Sequence, residues 1–111
     1  MTPDLDPVIH AAGRLRIMAS LVACPVGVAV EFKRLRDLLG FTDGNLSAHL
    51  STLEGAGYVT VDKDIVGRRM RTRLAATPHG RAAYAVHVAA LKAIVDGAQD
   101  PTNDPPSERT T

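Results

Sequence analysis

Five bases crowd into residues 62–73: Lys63, Arg68, Arg69, Arg71 and Arg73, with Asp62 and Asp64 as the acids among them. This local excess of +3 is the most concentrated field in a chain whose 13 bases and 12 acids leave a total of only +1. Guanidinium groups set this closely, without an acid for each, do the chemistry of holding a polyanion. A second group carries hydrogen-bonding capacity without charge. Thr42, Asn45, Ser47, Ser51 and Thr52 lie close together with Ala48 among them, and no Lys or Arg falls between Thr42 and Gly57. Hydroxyl, amide and methyl groups in this pattern can meet phosphates or the edges of bases, but not through a charged fork.

Covalent and metal chemistry find no footing in the other residues. The chain has no Gly-rich phosphate loop, no Gly-x-Ser-x-Gly elbow and no carboxylate pair in a pocket-forming context, so neither enzymatic activity nor a cofactor is expected. His79 and His87 stand eight apart, about 12 Å along a helix, too far to share one metal ion. His49 sits beside a row of leucines and reads as a packed residue rather than a ligand. With no paired Cys and no His/Asp cluster, no metal site is expected. Cys24, the single cysteine, reads as a small buried apolar residue, because Arg14 and Arg16 lie too far back to activate a thiol.

Positioning these groups falls to 111 residues, the size of one domain. Apolar residues make up 45% and aromatic ones only 4%, with no Trp, so the core must be built from Leu, Val, Ile, Ala and Met. Asp6-Pro7 marks a helix start, Asp as the cap and Pro at the first helical position. Val8, Ile9, Ala12, Leu15, Met18, Leu21 and Val22 recur at helical spacing from there to about Ala23, where Pro25 and Gly27 stop the pattern. Val28-Ala29-Val30-Glu31 is β-prone, and Phe32, Leu35, Leu38 and Leu39 outline a second helix ending at Gly40. Thr42 or Asp43 can cap a third helix, with Leu46, Leu50 and Leu53 as its stripe and Gly55 and Gly57 closing it.

Val59 and Val61 alternate with Thr60 and Asp62, and Met70, Thr72 and Leu74 alternate with Arg69, Arg71 and Arg73, which predicts a hairpin turning near Gly67. Thr77-Pro78 opens a long last helix running to about Asp96. The predicted fold class is α+β, mostly helical: helix, short strand, helix, helix, two-stranded hairpin, long C-terminal helix. Two short helices joined by a tight Gly-containing turn are a helix-turn-helix signature. Residues 1–95 form the predicted domain. Residues 96–111, with four acids, one base and Pro101, Pro105 and Pro106, read as a disordered acidic tail. No apolar run approaches the ~20 residues that span a bilayer, and the acidic N-terminus lacks a signal-peptide pattern; no membrane partner and a cytoplasmic location are expected.

The run Thr42-Asp43-Gly44-Asn45-Leu46-Ser47-Ala48-His49-Leu50, followed by Leu53-Glu54-Gly55-Ala56-Gly57-Tyr58-Val59, resembles that of winged helix-turn-helix transcriptional regulators of the MarR and ArsR families. Thr77-Pro78-His79-Gly80-Arg81 is similar to their opening of the helix after the wing, and the likeness covers roughly residues 6–95. The small size looks most like that of short stand-alone members. The resemblance implies double-stranded DNA as partner, with helix 42–56 in the major groove and wing 64–72 on the backbone or minor groove. It also implies a homodimer joined through the first and last helices on a near-palindromic operator. One departure stands out: these families often carry Arg or Lys near the positions of Ala48, Ser51 and Thr52.

On a helical wheel Leu46, Leu50 and Leu53 point one way, and Gly44, Ser47, Ala48, Ser51 and Gly55 the other, with Asn45 and Thr52 flanking. Small, acid-free residues suit a helix lying in a groove about 12 Å wide, and Thr42 and Ser47 can help hold a phosphate. Without a base on this face, specificity must come from Ser, Thr and Asn contacts, methyl contacts or DNA shape. Affinity then leans on the wing (Arg68, Arg69, Arg71) and on Lys33, Arg34 and Arg36 of the second helix. Cross-strand pairing opposes this: Asp62 and Asp64 can neutralise Arg71 or Arg73, and the expected loss is one arginine, with the tip residues Arg68 and Arg69 spared.

The last helix is apolar over more than one stripe. Tyr84, Val88, Leu91 and Val95 form one row, and Ala83, Val86, Ala90 and Ile94 occupy others. The surplus predicts dimerisation through Tyr84, Val88, Leu91, Ile94 and Val95, joined by Val8 and Ile9 of the first helix. The expected function is a DNA-binding transcriptional regulator acting as a repressor, with a small-molecule effector between the first and last helices as one version of it. The competing expectation is a winged-helix protein-docking module that does not bind DNA sequence-specifically.

Overall fold

A computed structural model describes residues 5–98; residues 99–111 of the expected acidic tail lie outside the described residues. Helix α1 (Ala12–Val22) is followed by the short strand β1 (Val30–Glu31), helices α2 (Phe32–Leu39) and α3 (Asp43–Gly55), strands β2 (Val59–Val66) and β3 (Arg69–Ala76), and helix α4 (Pro78–Asp96). The three strands form an antiparallel sheet in the order β1-β3-β2. This is the winged helix arrangement, in which β2 and β3 make the wing. β1 pairs only with Leu74 and Arg73, so the hairpin beyond them is a two-stranded ribbon projecting from the body. Gly67, at φ 65°, opens the two-residue loop between Val66 and Arg69, where a side chain would be strained.

The helical spacing seen in the sequence becomes the core. Ile17, Met18 and Leu21 of α1, Leu35 of α2, and Leu46, Leu50 and Leu53 of α3 are buried together with Val59 and Leu74 of the sheet. Truncating one such Leu to Ala costs roughly 2–5 kcal/mol. Helix α3 is fixed at both ends. Thr42 Oγ1 accepts from the Asn45 amide at 3.1 Å, and at the other end the Gly57 amide donates to Glu54 and the Tyr58 amide to Leu53, both at 2.9 Å. That pair of bonds is the Schellman closure, and it hands the chain directly into β2.

The Thr-Pro-x-Gly opening of α4 has a contact for each residue. Thr77 Oγ1 accepts from the Gly80 amide at 2.9 Å and donates to the Gly57 carbonyl at 2.6 Å. Pro78 occupies the first helical position, where no amide is needed. Gly80 is buried so tightly that an added Cβ would lie 2.0 Å from the Tyr58 carbonyl oxygen. Arg81 then reaches back to the end of α1, donating to the Val22 carbonyl at 3.1 Å and the Cys24 carbonyl at 2.8 Å. Cys24 is half-buried, its Sγ 3.6 Å from the Ser20 carbonyl.

The first helix starts later than its periodicity suggests. Asp6 does cap a turn, its Oδ1 accepting from Val8 at 2.8 Å and Ile9 at 3.3 Å. The turn does not propagate: Ala11 is extended (ψ 130°) and α1 begins at Ala12. Long-range partners hold the turn apart. The Asp6 amide donates to Nδ1 of the buried His87 at 3.1 Å, the Tyr58 hydroxyl donates to Asp6 Oδ2 at 2.5 Å, and Arg14 Nε donates to the Val8 carbonyl at 2.5 Å. In a continuous helix that carbonyl would serve residue 12 instead. Burial pushes the Asp6 carboxyl up, but the Tyr58 hydroxyl and the two amides outweigh it and hold it below 3.8.

Candidate nucleic-acid interface

Sinking its three leucines turns the other side of α3 outward. Thr42, Asn45, Ser47, Ala48, Ser51 and Thr52 are all exposed. The Thr42 hydroxyl is occupied as a cap acceptor but keeps its proton for donation, whereas Thr52 Oγ1 turns back to the Ala48 carbonyl at 3.3 Å. His49 is half-buried, edge-on to Phe41 at 5.6 Å and against Gly13, where a Cβ would lie 2.6 Å from its Nε2. It locks α3 to α1.

A groove of about 270 Å³ runs between α2, α3 and the wing, lined by Phe32, Ser47, Leu50, Ser51, Glu54, Val61, Lys63 and Thr72. Two of these residues change the expectation for this face. Glu54 is exposed and lines the groove beside Ser51, so the surface is not free of acid. Lys63 supplies a cation there, on the wing rather than on α3. Alternation along β2 sets Lys63 on the same face as Val61, and the fold brings that face against Ser47 and Ser51 of α3.

The cations divide into paired and free ones. Arg36 is bound to Asp37 at 2.9 Å and to Asp43 at 2.7 Å, and the Asp43 bond, then the Asp37 bond, raises its pKa; it serves the start of α3 and not an external anion. On the wing, Arg71 grips Asp64 with two bonds, Nε to Oδ1 at 3.1 Å and Nη2 to Oδ2 at 2.7 Å. Arg73 shares the same carboxylate at 3.6 Å. The Arg71 bond holds the Asp64 carboxyl below its ordinary value, with further help from both guanidinium charges. Two arginines are thus engaged where one was expected, and both go to Asp64, although Asp62 is the residue in register with Arg73. Arg71 is therefore tied to its own strand partner.

Among the described residues Lys33, Arg34, Lys63, Arg68 and Arg69 are exposed and form no ion pair. Lys33 and Arg34 lie on α2, Lys63 on β2 in the groove with Ser47 and Ser51 of α3, and Arg68 and Arg69 at the wing tip. Ile9 is also placed differently from expectation: it is fully buried in the core of the single chain, where Asp6 pins its turn inward, and it offers nothing to a partner copy. Val8, Tyr84 and Leu91 are half-buried, while Val88, Ile94 and Val95 are exposed on α4 together with Val86. No helix among the described residues is long and apolar enough to cross a membrane.

The chain resembles proteins from archaea and bacteria. An uncharacterized protein of Methanocaldococcus jannaschii is 34% identical over 77 residues, covering 69% of this chain and 80% of that protein. The solved structure of a transcriptional regulator homologue from Pyrococcus horikoshii superposes with a TM-score of 0.73 at 30% identity, over 81% of this chain and 86% of that one. FabT of Streptococcus pneumoniae, solved in complex with DNA, shares the fold at a TM-score of 0.52 and 20% identity, over 86% of this chain and 71% of that one. The model of the winged helix DNA-binding domain matches residues 14–95, a span that runs from α1 through the wing to the end of α4. The chain therefore belongs to the winged helix DNA-binding domain family and resembles transcriptional regulators.

Proposed function

We propose that this protein is a transcriptional repressor that binds a near-palindromic operator as a homodimer, with α3 in the major groove and the wing tip on the adjacent minor groove or its backbone. The observation that carries the reading is the exposed, base-free face of α3 with Lys63 across its groove, together with further cations on α2 and the wing tip that form no ion pair among the described residues. Distances support it. From the pair Lys63 and Thr72 in the groove, the wing runs four residues to Gly67, about 14 Å at the rise of a β-strand. Half a duplex turn is about 17 Å, so a helix in one groove leaves the tip at the next. The FabT complex supports DNA as the partner class.

With no Arg or Lys on α3, most of the affinity is electrostatic, and specificity comes from Asn45, Ser47, Ala48 and Ser51 and from DNA shape. The dimer rests on α4, whose exposed Val86, Val88, Ile94 and Val95 leave an apolar surface that a second copy covers. A groove of about 540 Å³ between the Asp6 turn and α4, lined in part by Val8, Tyr58, Val86 and His87, has room for a small apolar effector. Binding of a labelled duplex across a salt series tests the reading. If the five cations on α2 and the wing each neutralise one phosphate, they contribute about −9 to the log–log slope of a dimer, at about −0.9 per phosphate. A slope of −4 or steeper is expected. A flat slope would fit a protein-docking module and contradict DNA binding.

A further inference from the structure

Two large apolar side chains stand at the wing where the fold gives them nothing to cover. Ile65 is 72% exposed and Met70 66% exposed, and they face each other directly across the β2–β3 ladder. Alternation puts them on the same face of the ribbon as Lys63 and Thr72, which line the groove against α3. They lie one pleat nearer the tip, beyond the pairing of β1, and Met70 also lines an open groove of about 280 Å³ with Glu31, Phe32 and Lys33. Lys63 stands on the same face and Arg68 in the tip loop beyond, each without an ion pair among the described residues, while Arg69 alternates to the opposite face and Glu31 lies in the groove that Met70 lines. Asp62 and Asp64 point to the opposite face, where Asp64 is held by Arg71.

An apolar pair with Lys63 beside it and Arg68 at the tip beyond is matched to a polyanion with an apolar interior. We propose that Ile65 and Met70 form a wedge that enters the minor groove of duplex DNA and partly unstacks a base step, while Arg68 and Arg69 hold the flanking phosphates. The inference rests on the DNA-binding reading above. The minor groove is about 6 Å wide, whereas the two strands alone stand about 4.8 Å apart before side chains are added. The ribbon therefore enters only if the groove widens, and an apolar wedge that opens a step bends the duplex by about 20–90°. This supplies sequence preference to a protein whose recognition helix has no Arg or Lys, because flexible pyrimidine–purine steps deform most easily.

The test compares full-length wild type, Ile65→Ser/Met70→Ser and Arg68→Ala/Arg69→Ala on a duplex carrying fluorophores at its two ends. Energy transfer reads the bend, and anisotropy across a salt series reads the affinity and slope. The apolar double variant is expected to keep the wild-type melting temperature, since neither side chain is in the core. It is expected to bind about 10–100-fold more weakly, with the bend lost and the salt slope unchanged, because apolar contacts release no counterions. The arginine variant is expected to flatten the slope instead. An unbent duplex under wild type, or a serine variant that binds and bends like wild type, overturns the wedge while leaving DNA binding intact. Serine substitution that changes sedimentation in the absence of DNA assigns the patch to a second copy and overturns it too. Wild type that binds no duplex at all overturns both the wedge and the repressor reading.

Discussion

The division of the wing arginines into free and engaged ones leads to a quantitative contrast. Arg68 and Arg69 are exposed at the tip and form no ion pair among the described residues, while Arg71 is bound bidentately by Asp64. If each tip arginine neutralises one phosphate, Arg68→Ala/Arg69→Ala lowers the magnitude of the salt slope by about 1.8 per protomer, at about 0.9 per phosphate. Were the wild-type and variant lines to meet near 1 M salt, that difference would correspond to about 60-fold in affinity per protomer at 0.1 M. Arg71→Ala removes the same formal charge as either tip substitution alone, yet it takes away a group already satisfied by a carboxylate, so its slope should fall by less than about 0.5. Its cost is to the hairpin instead, since Asp64 is left with only the 3.6 Å contact to Arg73. Fluorescence anisotropy with a labelled duplex between 50 and 300 mM salt measures all three proteins. Equal slope changes for the Arg71 variant and for half of the tip double variant would refute the reasoning.

Other outcomes follow from the packing. Gly80→Ala places a Cβ 2.0 Å from the Tyr58 carbonyl and should cost at least about 3 kcal/mol in urea denaturation, the upper range for overpacking; Gly55→Ala, with open space around it, should stabilise by up to about 1 kcal/mol. His87 is fully buried, and burial, aided by His10 and opposed by Asp6, lowers its pKa below 6.5. The unfolded chain therefore takes up that proton first as pH falls. Stability from His87 is full above pH 6.5 and is lost as pH drops through the folded value, at most about 1.4 kcal/mol per pH unit; a pH series of urea midpoints that is flat below 6.5 would contradict it. Val95→Asp, on the exposed face of α4, should leave the melting temperature within a few degrees and halve the sedimenting mass, whereas an unchanged mass would remove α4 from the dimer.

Local pattern made the helix-turn-helix legible. Leu46, Leu50 and Leu53 repeat at helical spacing, Thr42 and Gly57 mark the two ends of α3, and the alternation of Arg69 to Leu74 marks a strand, so both the outer face of α3 and the wing can be read directly. What pattern conceals is decided by partners far along the chain. The break at Ala11 comes from Asp6 meeting His87 and Tyr58, 81 and 52 residues away. Ile9 fits a helical stripe equally well whether that stripe meets the core or a second copy, and only the pinned turn decides. Both Asp62 and Asp64 stand on the strand facing the arginines; Arg71 takes the residue in register with it, Asp64, while Arg73 reaches diagonally to that same carboxylate instead of to Asp62. Ile65 and Met70 continue the alternation of Val61 and Leu74 and so resemble core residues. They are exposed because the ribbon outruns the body that would cover them.

If the outer face of α3 lies against DNA, a photocrosslinker carried there on cysteine reaches the duplex. Ser51→Cys and Ala85→Cys place the probe on exposed positions of α3 and α4, both in a Cys24→Ala background. The account predicts crosslinks to duplex DNA from position 51, with competition by unlabelled duplex, and none from position 85. Crosslinking from α4 with silence from α3 would contradict it.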